Sequence, residues 1–115
     1  MPITTPLFDL TGHVALITGG NSGIGLGMAE GLAAQGATVA IWGTNPTKNA
    51  AAAEQLRGLG GRVLDLVCDV GDQQAVIESM AATVSELGRI DSCFVNAGVG
   101  GQAPSFVGMS DDEWH

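Results

Sequence analysis

The sequence contains no tyrosine, and Lys48, Arg57, Arg62 and Arg89 are its entire complement of lysine and arginine. Without a phenol, the acid–base chemistry that a tuned tyrosine supplies is missing from these residues. Against twelve acids, the four bases leave a net charge of -8, and no two of them make a stripe. Nucleic acid, which is held by neutralising its phosphates, is therefore not an expected partner. Cysteine is scarce: Cys68 and Cys93 stand alone, with no cysteine or histidine at metal-ligand spacing. Both lie in apolar runs and read as small buried hydrophobes, with a disulfide or a reactive thiol as the other readings. No apolar run approaches the roughly 20 residues of a membrane span. The opening Met1-Pro2-Ile3-Thr4-Thr5 lacks the basic and apolar regions of a signal peptide. A cytoplasmic protein that binds neither membrane nor nucleic acid is the expectation.

What the chain does have is apolar content and glycine. Hydrophobic residues make up 45% of the 115 and charged residues 14%, with eighteen glycines between the apolar runs. That composition argues against disorder and suits one α/β domain with tight strand–helix turns. His13 to Thr18 reads as a buried strand running into a glycine cluster. Ile24, Met28 and Leu32 then recur at helical spacing from about Ser22 to Gln35, and Gly36 closes that helix. Residues 37 to 42 read as a second strand. Asn45-Pro46 is an N-cap followed by proline at the first helical position, opening an alanine-rich helix to about Leu59. Arg62 to Cys68 reads as a third strand, Asp72 as the cap of a helix over 73–87, and Asp91 to Val95 as a fourth strand. Strand and helix alternate with short connections, the pattern of βαβ units on a parallel sheet. Near the end, Ser110-Asp111-Asp112-Glu113 forms a capping box, and two acids there suit the positive end of a helix. His115 follows within about one turn, too short for a self-sustaining helix, so the sequence reads as truncated.

The turn after the first strand points to a phosphate ligand. Such a turn needs glycine to bend sharply and to bring backbone N–H groups against an anion at a helix N-terminus. Gly19, Gly23 and Gly25 are placed for this, although the strict G-x-G-x-x-G pattern fails at Met28 and no P-loop lysine follows.

Thr18-Gly19-Gly20-Asn21-Ser22-Gly23-Ile24-Gly25 resembles the Thr-Gly-x-x-x-Gly-Ile-Gly signature of the short-chain dehydrogenases/reductases. Three further markers fall in order: Asp69-Val70 after the third strand, Asn96-Ala97-Gly98 after the fourth, and Asp112-Glu113-Trp114 at the start of a long helix. The resemblance runs from about Phe8 to His115. It implies a Rossmann-type, doubly wound parallel α/β sheet, here the N-terminal cofactor-binding part with four strands in the order 3-2-1-4. It further implies that Gly19, Gly23 and Gly25 line the pyrophosphate turn, with Asn21 and Ser22 near the adenosine phosphate. Ile24 would sit toward the nicotinamide, and Asp69 and Val70 would frame the adenine. Asn96 would tie neighbouring strands together, while Ala97 and Gly98 admit the cofactor ribose. Asp69 also reads as a solvated acid after a strand, and Asn96 as a plain turn residue. Residues 42–45 carry neither an acid to repel a 2′-phosphate nor an arginine to grip one. Thr44, Asn45 and Lys48 could bind one weakly, so NADP(H) is favoured over NAD(H). In that strand order Cys68 and Cys93 stand about 14 Å apart, beyond the reach of a disulfide.

The family's hydride transfer, on a secondary alcohol or ketone, uses a serine, a tyrosine and a lysine four positions after the tyrosine. None of these is carried over here: tyrosine is absent, Lys48 lies after the second strand, and Ser105 and Ser110 precede the serine's position. No catalytic residue is assigned. The expectation is a binding part of an NAD(P)-dependent oxidoreductase, closest in look to 3-oxoacyl reductases and sugar-acid dehydrogenases, with a homo-oligomeric intact protein. A non-catalytic nucleotide-binding module is the alternative. An S-adenosylmethionine-binding methyltransferase is more remote, since Thr18 and the Asn-Ala-Gly motif do not suit it. The chain is also expected to be marginally stable, with an exposed edge at the fourth strand.

Overall fold

The computed structural model of the chain describes residues 9–96. Ala97, Gly98 and the capping box at Ser110 to Glu113 lie outside the described residues. The elements run β1 (Val14–Thr18), α1 (Gly23–Ala34), β2 (Thr38–Gly43), α2 (Pro46–Arg57), β3 (Val63–Val67), α3 (Gln73–Leu87) and β4 (Ser92–Val95). All pairings are parallel, as the alternation of strand and helix implied, and the spatial order is β3-β2-β1-β4, as the family resemblance implied.

β1 and β2 are the central strands, and the sequence shows why. Val14 to Thr18 is buried throughout, and so is Val39 to Gly43, because a parallel strand covered on both faces needs an unbroken apolar run. Side chains alternate between two cores. Ala15, Ile17, Val39, Ile41 and Val63 meet α1 and α2 through Ala29, Ala33, Ala52, Ala53 and Leu56. Leu16, Ala40, Trp42 and Cys68 form the other core, joined by Ala75, Val76 and Leu87 of α3. Trp42, 2% exposed, also fixes α3 to the sheet through its Nε1, which donates to Thr83 Oγ1 at 3.2 Å.

Two of the helices begin as the sequence indicates. Asn45 Oδ1 accepts from Lys48 N at 3.0 Å, and Asp72 Oδ1 accepts from Gln74 N and Ala75 N. α2 ends at Arg57, two residues before the expected Leu59, and the chain turns at Gly60, whose φ is 97°. α1 differs in kind. It contains Gly23, Gly25, Gly27 and Gly31, and it has no side-chain cap and no charge in its first or last turn. Its cohesion comes from Gly25, Ala29 and Ala33, a flat buried stripe that lets the helix lie close on the sheet.

Among the described residues β4 lies at an edge of the sheet, as expected. It is fastened at its start by Asp91, whose Oδ2 accepts from Val14 N at 2.8 Å, and by a 2.8 Å hydrogen bond between Ser92 Oγ and His13 Nε2. Arg89 pairs with the same Asp91 carboxylate. One expectation fails here: Cys68 is buried, but Cys93 is exposed. Cys93 pairs in register with Leu16 and shares its face, and α3 reaches across that face over β1 to β3 without covering β4. Both cysteines are free thiols.

Candidate functional site

Parallel strands bring all their C-terminal ends to one edge of the sheet. Thr18 pairs with both Trp42 and Val95, and Gly43 pairs with Val67. Gly19, Thr44, Asp69 and Asn96 therefore follow four strand ends along a single rim. The chain leaves β1 in one direction for β2 and β3, and returns on the other side as β4. The rim beside β1 and β4 is thus the topological switch point, where open α/β sheets form their ligand crevice.

The glycine turn fills that point. Gly19 and Gly23 have φ of 68° and 57°, a left-handed backbone that side chains with a Cβ disfavour. Gly19 N donates to Trp42 O at 2.8 Å, anchoring the turn to β2. Gly25 is buried, and a Cβ there would collide with the carbonyl oxygen of Gly19 and lie 2.7 Å from Asn96 Nδ2. Only glycine at 25 lets the helix start sit against its own turn. Ser22 occupies the N-cap position, but its hydroxyl donates to Asn21 Oδ1 at 3.3 Å and not to the helix. The first turn of α1 therefore presents backbone N–H groups that no side chain caps, at the positive end of the helix dipole.

Asn96 follows β4 and reaches back to the end of β1. Its backbone N–H donates to Thr18 Oγ1 at 3.0 Å, and its Nδ2 donates to Gly19 O at 3.3 Å, so β4, β1 and the glycine turn meet at one residue. Asn21 is half-buried, and its Nδ2 donates to Asn49 Oδ1 at 2.8 Å, turning the side chain toward α2. Ile24 is 77% exposed, an apolar side chain standing free at the rim. A shallow cleft is lined by Met28, one helical turn after Ile24, with Phe94, Val95 and Asn96. Asp69 is exposed, with Oδ1 accepting from Gly71 N at 2.9 Å, while Val70 packs against the α3-side core. These two stand past β3, two strand spacings from β1, or about 10 Å along the rim. Thr44 is exposed at the start of the turn between β2 and α2.

Two contributors went unnoticed in the sequence. Thr18 opens the family signature without a role of its own, yet its hydroxyl accepts from the Asn96 N–H. Asn49 is 1% exposed in an otherwise alanine- and leucine-lined helix face. An asparagine at a core-facing helical position was the available signal. Among the described residues, no group of three or more histidine, cysteine, aspartate or glutamate side chains is placed to hold a metal, and no helix is long and apolar enough to cross a membrane.

This arrangement has counterparts in known proteins. The family model described as short chain dehydrogenase matches residues 13–115. Gluconate 5-dehydrogenase of Gluconobacter oxydans is 42% identical over 98 residues, covering 85% of this chain and 38% of that protein. The 3-oxoacyl-acyl-carrier-protein reductase of Chlamydia pneumoniae is 35% identical over 105 residues, covering 91% of this chain and 42% of that protein. Among solved structures, NAD+-bound xylitol dehydrogenase superposes with a TM-score of 0.77 at 36% identity, over 83% of this chain and 37% of that one. L-Sorbose reductase from Gluconobacter frateurii, complexed with NADPH and L-sorbose, gives a TM-score of 0.76 at 32% identity, over 93% and 41%. The chain thus spans about two fifths of the length of the relatives it matches. The shared sheet order, the glycine turn at the switch point and the matched family model lead to one assignment: the chain belongs to the short-chain dehydrogenase family.

Proposed function

We propose that this chain forms the dinucleotide-binding part of an NAD(P)-dependent oxidoreductase acting on a secondary alcohol or ketone. The observation that carries the reading is the uncapped start of α1, held against a glycine turn that leaves no room for a Cβ at residue 25. An anion is the natural occupant of such a helix end, because backbone N–H groups and the dipole attract it without a basic side chain. That suits a protein of net charge -8. A dinucleotide fits the surroundings: the pyrophosphate at residues 19–25, the adenine near Asp69 and Val70, and the adenosine ribose beside the end of β2 at Thr44. Ile24 and the cleft lined by Met28 and Phe94 offer apolar surface toward the nicotinamide.

The bound nicotinamide would supply or accept the hydride. The described residues bind and orient: Asn96 keeps β4 and the glycine turn in register, and the exposed Ile24 shields one side of the crevice from water. The 115 residues contain no tyrosine, and Lys48 lies in the first turn of α2. By themselves they bind cofactor without turning substrate over, so the non-catalytic binding module is the reading for this chain considered alone. NADP(H) is preferred to NAD(H), since Gly43-Thr44-Asn45 puts no carboxylate beside the ribose and Lys48 follows on α2. The names of the relatives, from gluconate 5-dehydrogenase to 3-oxoacyl reductase, keep both sugar acids and 3-oxoacyl thioesters as substrate classes.

Titration of the chain with NADPH and NADH, followed by calorimetry, tests the reading. Saturable binding with the tighter constant for NADPH is expected. Failure to bind either dinucleotide would overturn it.

A further inference from the structure

The most constrained polar side chain beside the site belongs to a residue with no assigned role. Asn49 is 1% exposed in the first turn of α2. Its Nδ2 donates to Gly43 O at 2.9 Å and to Leu66 O at 3.1 Å, and its Oδ1 accepts from Asn21 Nδ2 at 2.8 Å. The two carbonyl partners demand the amide nitrogen on their side, which fixes the orientation of the group. One buried amide thereby joins three segments: the end of β2, the end of β3 and the glycine turn. A leucine there would fill the same space, so packing alone does not call for asparagine.

Gly43 shows what this amide excludes. A Cβ on Gly43 would stand 2.5 Å from Asn49 Oδ1 and closer still to Asn21 Nδ2. Side-chain tips usually yield to such a contact, but this pair is held by three hydrogen bonds and one of its members is buried. The pair thus fills the volume over the last residue of β2. In dinucleotide-binding βαβ units an acid about 20 residues beyond the glycine turn, at the end of the second strand, bonds the ribose 2′-hydroxyl and repels a 2′-phosphate. Gly43 holds that place here.

We propose that Asn49 is a specificity-determining positioning residue. Through Asn21 it bars a carboxylate from the end of β2 and leaves the ribose edge open to a 2′-phosphate. The inference rests on the dinucleotide reading of the site. It goes further in making the cofactor preference depend on a buried residue that touches no cofactor atom.

The test uses the full 115-residue chain and two readouts. The first needs no ligand: urea unfolding of Gly43→Ala, Asn49→Ala and the double variant. Gly43→Ala is expected to lower the midpoint clearly in the parent and much less in the Asn49→Ala background. Equal losses in both backgrounds would overturn the proposal. The second readout is the ratio of NADPH to NADH dissociation constants. Gly43→Asp alone is expected to leave the ratio within about threefold of the parent's, whereas Gly43→Asp with Asn49→Ala moves it at least about tenfold toward NADH. A tenfold move by Gly43→Asp alone overturns the role of Asn49. A parent that binds neither dinucleotide overturns the reading of the site itself, and the specificity role falls with it. The alanine cycle, with its smaller substitutions, still decides the steric claim if the aspartate variants do not fold.

Discussion

The glycines of α1 offer an internal control on how the site is built. Gly25, Gly27 and Gly31 occupy one helix, but a Cβ at 27 or 31 would meet nothing within 4 Å, whereas at 25 it would collide with Gly19 O. Replacing an unstrained helical glycine by alanine stabilises by about 0.5–1 kcal/mol, through helix propensity and a less flexible unfolded chain. Gly27→Ala with Gly31→Ala should therefore add about 1–2 kcal/mol, raising Tm by about 5–10 °C for a domain of this size. Gly25→Ala has the same local gain. Against it stand overpacking onto backbone, about 1–3 kcal/mol, and the hydrogen bond from Asn96 to Gly19, worth about 1 kcal/mol. The net expectation is a loss of about 1–3 kcal/mol together with weakened dinucleotide binding, which Gly27→Ala should leave intact. Urea unfolding followed by far-ultraviolet circular dichroism measures all three. A Gly25→Ala midpoint at or above the parent's would refute the close approach of α1 to its own turn. A loss at both 27 and 31 would refute the account of α1 as a helix without propensity.

Thr83→Val should lower stability by about 1–3 kcal/mol, because Trp42 Nε1 is left buried without an acceptor; an unchanged urea midpoint would contradict this. The guanidinium of Arg89 and then the backbone N–H of Val14 hold the Asp91 carboxyl below its usual range. A depressed carboxyl stabilises the fold above its unfolded value near 3.9 and loses that contribution as pH falls through the folded value. Asp91→Asn should therefore destabilise at pH 7 and converge with the parent at the acid end of a pH series of unfolding midpoints. A difference that stays constant with pH would rule out the ion pair as its source. A thiol reagent should label Cys93 in the native chain and reach Cys68 only after unfolding. Partial burial pushes the Cys93 thiol up, so its labelling should accelerate above neutral pH; rapid labelling of both thiols would place Cys68 wrongly.

The elements were legible because each obeys a local rule. Asn45-Pro46 and Asp72 announce α2 and α3 and do cap them, and the unbroken apolar runs of β1 and β2 mark the centre of a parallel sheet. Strand order does not follow from those patterns; it came from the family resemblance and agrees with the structure. The glycines of the turn were legible as a sharp bend for the same reason, since the positive φ at Gly19 and Gly23 and the crowding at Gly25 suit little else. What stayed hidden depends on neighbours distant in sequence. Cys93 reads like Cys68, each in an apolar run, and only the breadth of sheet that α3 covers separates them. Asn49 reads as a residue in an alanine-rich helix until Gly43, Leu66 and Asn21 are brought around it. Thr18 looks like the last residue of a strand until β4 returns beside it.

α1 bears one consequence for how the domain breathes. With four glycines, no side-chain cap at its start and no charge in its first or last turn, it has little reason to be helical apart from the sheet beneath it. It should be the last helix to form and the first to open, its amides exchanging with solvent through partial unfolding while those of α3 wait for the global event. The segment whose first N–H groups no side chain caps is then the least cooperative part of the domain. An occupant would protect those amides and add its binding free energy to the fold. Ligand and helix would complete each other, and the apparent rigidity of the crevice would be a property of the complex.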